Sequence, residues 1–103
     1  AFAVTSAARS PVVPDMPSLS EFLPGYDVSS WTTVTGPAGL PPAVVERISV
    51  LSKQVLEGES LKKAYFDRGA TAWWQTPAQT AAYREGEEKR LGDLIRSAGI
   101  TLD

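Results

Sequence analysis

The stretch Leu23-Pro24-Gly25-Tyr26-Asp27-Val28-Ser29-Ser30-Trp31, followed by Gly36-Pro37-Ala38-Gly39-Leu40-Pro41, constrains the fold more than any other part of this chain. Pro24-Gly25 stops whatever precedes it. Residues 26–35 alternate and are rich in β-branched and aromatic types. In a strand, Tyr26, Val28, Ser30, Thr32 and Val34 share one face, and Ser29, Trp31 and Thr33 share the other. Gly36-Pro37-Ala38-Gly39 is a turn. Pro41-Pro42 then fall in the first turn of a helix, where a missing N–H does no harm. Turn, strand, turn and helix start, in that order, belong to an α/β protein.

The remaining elements follow the same reasoning. Residues 2–5 are short, apolar and strand-forming. Pro11, Pro14 and Pro17 exclude a helix between them and predict an extended connection. Ser18 and Glu21 form a capping box for one short helical turn. The helix from residue 42 to about 56 carries Val44, Ile48, Leu51 and Val55 as an apolar stripe, and Gly58 is its expected stop. A second helix spans about 60–68 and ends at Gly69, with Glu59 and Lys63 spaced for a helical ion pair. Residues 70–75 read as a short strand. Thr76-Pro77-Ala78-Gln79 is a capping box with proline at the first helical position, opening a helix that runs to about 98 and stops at Gly99. Its Tyr83, Glu87, Leu91, Leu94, Ile95 and Ala98 lie along one side, and residues 100–103 form a tail packed back on the core. The expected fold is α/β, with two to three strands and three to four helices.

At 103 residues the chain is at most one domain with one modest core. A net charge of −2 without a basic stripe makes nucleic acid a poor partner. The absence of histidine and cysteine removes the usual zinc sites, Ser-His-Asp triads and Cys-His pairs. No catalytic residue, metal site or cofactor site is therefore expected. No apolar stretch approaches the roughly 20 residues that span a bilayer. The chain opens inside a strand-like run, as a piece of a longer chain with its targeting segment removed would. Two or three strands cannot cover three amphipathic helices, and unpaired strand edges would favour self-association.

Several pieces in order carry a resemblance: Ala3-Val4-Thr5-Ser6 with Arg9; Pro14-Asp15-Met16-Pro17-Ser18 with Glu21; Pro24-Gly25-Tyr26 with Trp31; Gly36-Pro37-Ala38-Gly39-Leu40-Pro41; Thr76-Pro77; Glu87; and Ala98-Gly99-Ile100-Thr101-Leu102-Asp103. Together they resemble the C-terminal third of the tripartite tricarboxylate transporter substrate-binding receptors, the Bug family. The resemblance implies a partial lobe of the type II periplasmic-binding-protein fold. Residues 1–25 would hold the crossing strand and proline-rich connection, and residues 26–103 would complete the first lobe. It implies a periplasmic receptor, with no enzymatic activity, that captures a small carboxylate and delivers it to membrane transporter subunits. Leu40 stands where the family has Thr as helix cap, Thr80 where it has Phe, and Leu91 where it has Trp; Trp73-Trp74 replace smaller residues. The family's main ligand loops have no match in this chain.

By that resemblance Ser29, Ser30 and Trp31 begin the strand that re-enters the first lobe, so they are candidate cleft-rim residues. The plainer reading is strand packing. Arg9 could attract an anion, or could be a solvated hinge charge. Trp73 and Trp74 point to opposite faces if extended, which places at least one in the core. Glu85 faces Lys89 as a surface pair. Glu87 lies on an otherwise apolar side, where it would accept hydrogen bonds from backbone N–H groups. A small α/β protein-interaction domain with no small-molecule ligand is the alternative to the receptor.

Overall fold

The computed structural model describes residues 1–101; the expectation for the tail at residues 102–103 lies outside them. A 3-10 turn, Leu19–Glu21, is followed by α1 (Pro42–Glu57), α2 (Glu59–Phe66) and α3 (Pro77–Ser97). The chain divides into two units, Ala1–Thr35 with Gly58–Ala72, and Gly36–Glu57 with Trp73–Asp103.

The helices begin where the local chemistry starts them. At α3, Thr76 Oγ1 accepts from the Gln79 amide at 3.2 Å, and Gln79 Oε1 accepts from the Thr76 amide at 3.0 Å. Gly99, at φ 64°, lets the α3 end close, with Ile100 N donating to the Ile95 carbonyl at 3.1 Å. Gly69, at φ 76°, does the same for α2 through Ala70 N and the Tyr65 carbonyl. Gly58 stops α1 as expected, but not in the left-handed conformation. Its φ is −68° and it serves as the N-cap of α2, so α1 and α2 are separated by that residue alone. At α1 the Pro41 carbonyl accepts from Val44 N at 2.9 Å and from Val45 N at 3.3 Å, the ordinary first bonds of a helix.

The expected strands are not formed. Among the described residues there is one isolated parallel bridge, Val4 with Ser18, and no strand. Residues 2–5 come nearest: Val4 N donates to the Pro17 carbonyl, Leu19 N to the Val4 carbonyl, and Val28 N to the Thr5 carbonyl, each at 2.9 Å. Residues 26–35 and 70–75 have the composition of strands but no ladder beside them among the described residues. A β-propensity is completed only by a neighbouring strand, and the sequence pattern does not contain that neighbour.

No hydrophobic side chain among the described residues is buried, and Ser18 is the one buried residue. The chain exposes 8219 Å², whereas a folded monomer of its 11.0 kDa mass exposes about 5,600 Å². In the unit that holds α1, the half-buried positions of the helix are Val45, Ser49, Ser52 and Leu56. Trp74 meets the helix here, donating Nε1–H to the Ser49 carbonyl at 3.2 Å with its ring 5.0 Å beneath Lys53 Nζ. The stripe expected to face inward, Val44, Ile48, Leu51 and Val55, is exposed. Of the two tryptophans, Trp74 is the half-buried one and Trp73 is exposed, edge-on to Tyr83 at 5.1 Å.

The surface pairs also differ in partner. Lys62 meets Glu59 and Lys63 meets Asp67. Lys89 meets Asp93 rather than Glu85, since the carboxylate one turn towards the C-terminus lies equally within reach. Asp93, held by Lys89 and then by Arg96, ionises below the usual aspartate range. The Glu87 carboxylate takes both nitrogens of the Arg90 fork at 2.9 Å.

Candidate functional site

All four candidate residues, Arg9, Ser29, Ser30 and Trp31, lie in the unit Ala1–Thr35 with Gly58–Ala72. The anchor of this region is Ser18. Its Oγ donates to the Ser6 carbonyl, accepts from Ser20 N at 3.1 Å, and sits 2.8 Å from Ser20 Oγ. Ser20 Oγ in turn donates to the Ala7 carbonyl at 2.6 Å. Two hydroxyls therefore clamp the segment that carries Arg9 against the 3-10 turn. The turn forms because Glu21 reaches back: its Oε1 accepts from Ser18 N at 2.9 Å.

Glu21 also fixes Arg9. The guanidinium Nε donates to Oε1 and one Nη to Oε2, both at 2.8 Å, a planar two-bond pair. A further nitrogen reaches the Pro14 carbonyl at 3.5 Å. The Arg9 hydrogen bonds, then the Ser18 amide, hold the Glu21 carboxyl down to about 2. The same pair raises the Arg9 pKa, so the guanidinium stays charged throughout. Arg9 thus occupies a built position, with its charge balanced by one carboxylate.

Ser29 is tied to this region through Asp27. Asp27 Oδ1 accepts from Ala7 N at 3.1 Å and from Ser29 Oγ at 3.2 Å. Ser29 lines an open hollow of about 310 Å³ together with Val4, Thr5, Ser6, Ser10, Val12, Val13 and Gly69. The wall is neutral, made of hydroxyls and valines. Ser30 is exposed and outside this lining, and Trp31 is half-buried. The structure therefore brings Arg9 and Ser29 into one hydrogen-bonded region and gives Ser30 no role there. A second hollow, of about 390 Å³, lies along α2 between Glu59, Lys62, Lys63, Phe66 and Asp67, where the charges already pair with one another.

Local spacing marks Ser18 only as a cap; the clamp on residues 6–9 needs the chain to fold back, which local spacing does not reveal. Asp27 was not singled out, although an aspartate beginning a strand-like run is a common anchor for nearby N–H groups. Among the described residues no group of three or more Asp or Glu side chains is placed to hold a metal ion. No helix of the described residues is long and apolar enough to cross a membrane.

Comparison with known proteins gives a consistent picture. Residues 1–100 match the family model described as tripartite tricarboxylate transporter family receptor. A UPF0065 protein of a Pseudomonas species is 31% identical over 97 residues, covering 92% of this chain and 29% of the relative. Another, from Agrobacterium vitis, is 30% identical over 103 residues, covering 96% of this chain and 30% of the relative. A solved structure of R. palustris Rpa4515 with adipate matches with a TM-score of 0.81 and 30% identity, over 94% of this chain and 33% of that one. The chain spans about a third of the length of each of these proteins.

Proposed function

The chain belongs to the tripartite tricarboxylate transporter receptor family, and we propose that it is the C-terminal third of a periplasmic solute-binding receptor. The family is one of receptors rather than enzymes. On this reading residues 1–25 form the return crossing, and residues 26–103 form part of the first lobe of a type II binding-protein fold. The two lobes would close on a small carboxylate by a hinge motion and present it to transporter subunits in the membrane. The observation that carries this reading is the end-to-end family match, joined to a 30% identical solved relative studied with adipate.

The cleft-rim residues we propose are Ser29, Ser30 and Trp31, with Arg9 as a weaker contributor. Ser29 and Ser30 offer hydroxyl donors to a carboxylate oxygen, and Trp31 offers an apolar wall to a methylene chain. Arg9 adds little attraction, because Glu21 already neutralises it. The supports are the placement of Ser29 on the neutral hollow and its tie through Asp27 to the Arg9 segment.

A thermal-shift screen of the natural full-length protein against linear dicarboxylates, tricarboxylates and acidic amino acids tests the proposal. At 100 times its Kd a ligand stabilises by about 2.7 kcal/mol, a rise of about 4 °C for a chain of roughly 300 residues. A selective rise supports a carboxylate receptor. A folded protein with no rise across the panel argues against it and favours the interaction-domain alternative.

A further inference from the structure

The Ser29 hydroxyl is already committed. Its one proton goes to Asp27 Oδ1 at 3.2 Å, and the same oxygen accepts from Ala7 N at 3.1 Å. Both donors are uncharged, so they hold this carboxylate in place without neutralising it. The adjacent Val28 N donates to the Thr5 carbonyl at 2.9 Å, which pins the backbone beside the tie as well. Arg9, two residues beyond Ala7, gives its guanidinium to Glu21 through two 2.8 Å bonds. The hollow that Ser29 lines has no cation among its lining residues. The rim position read above as a donor to a ligand carboxylate therefore already carries a carboxylate of its own.

One hydroxyl proton cannot serve two carboxylates at once. A ligand carboxylate that takes the Ser29 proton, at an ordinary O–H···O distance of about 2.8 Å, displaces Asp27 as acceptor. It then lies within about 6 Å of the Asp27 charge, where two like charges in water repel by a factor of about three in affinity, or about 0.7 kcal/mol. A carboxamide of the same shape is spared that repulsion. Its carbonyl can accept from Ser29, or its N–H can donate to the Asp27 oxygens. We infer that Asp27 is a specificity-determining residue, a charge filter at the rim that favours acids whose second end is uncharged over the matching diacids. The inference deepens the receptor reading and rests on its placement of Ser29 at the cleft rim.

The test is calorimetric titration of the natural full-length protein and its Asp27→Asn variant with succinate, glutarate, adipate and pimelate, each beside its own monoamide. Asp27→Asn keeps an oxygen for Ala7 N and Ser29 Oγ and removes only the charge. Unchanged exchange at the Ala7 amide shows that the tie survives. Asp27→Ser, a smaller uncharged acceptor, is the second variant should the first fail to fold. In the variant a bound diacid should gain about threefold in affinity, while its monoamide changes by less than about 1.5-fold. The gain should shrink as the ionic strength is raised towards about 1 M, which a purely structural tie would not produce. An equal change for diacid and monoamide, or no change in either, overturns the filter and leaves the receptor standing. A loss for both acids overturns it too and makes Asp27 a structural tie alone. If neither protein binds any of these acids while folded, the receptor reading falls and the filter falls with it.

Discussion

Replacing Ser18 by alanine removes a hydroxyl that bonds the Ser6 carbonyl, Ser20 N and Ser20 Oγ. Ser18 is 1% exposed. Its Oγ caps the 3-10 turn through Ser20 N and holds the Ser6 carbonyl. Loss of an N-cap hydroxyl costs about 1 kcal/mol, and a part-buried carbonyl left without its donor costs about 1 kcal/mol or more. The expected total is about 2 kcal/mol. The loss falls on the bridge between residues 4 and 18, whose two hydrogen bonds, Val4 N to Pro17 and Leu19 N to Val4, report it directly. Amide exchange in the natural full-length protein should show protection at Val4 and Leu19 falling by about 30-fold, since each factor of ten is about 1.4 kcal/mol. Ser20→Ala is the comparison. It loses the exposed hydrogen bond to the Ala7 carbonyl and the 2.8 Å contact with Ser18 Oγ, but leaves the Ser18 bonds to the Ser6 carbonyl and Ser20 N in place, and should cost about 1 kcal/mol. Equal protection loss in the two variants, or none in Ser18→Ala, would refute the assignment of Ser18 as the anchor.

Three further outcomes follow from the same geometry. Glu21 ionises at about 2 in the folded chain against 4.5 ordinarily, so its contribution is present above about pH 4.5 and is lost as pH falls towards 2; urea midpoints measured over that range should fall less in Glu21→Gln than in the parent, and an unchanged slope would count against the pairing with Arg9. Thr76→Ala breaks the α3 capping box and should lower stability by about 1 kcal/mol, with exchange quickening first at the Gln79 amide. Trp74→Phe keeps a ring but loses the donor to the Ser49 carbonyl and weakens the stacking under Lys53, for a loss of about 1 kcal/mol in denaturant titration; the exposed Trp73→Phe should cost less.

The helices of this protein were legible because their signals are local. Thr76-Pro77 with Gln79 marks the start of α3, and Gly99 marks its end, within one turn of chain. The strands were not legible in the same sense. The alternation at residues 26–35 records a tendency, and a strand needs a partner that spacing along one chain does not supply. The same limit explains α1. Periodicity identified the Val44–Ile48–Leu51–Val55 stripe but could not say which surface it meets, and within its own unit the adjacent stripe is the one that meets Trp74. The site divides likewise. Glu21 was legible as a capping partner of Ser18. Its second task, gripping Arg9, and the link from Ala7 through Asp27 to Ser29 depend on residues 4–9 folding back against 18–29.

The central claim is that this chain is part of a receptor that captures a small carboxylate. Calorimetric titration of the natural full-length protein with adipate, followed by shorter and longer linear dicarboxylates and by tricarboxylates, tests it most directly. The account predicts saturable one-to-one binding of at least one of these anions, weakened by Ser29→Ala and Trp31→Ala in a protein that remains folded. A folded protein that takes up none of them contradicts the account.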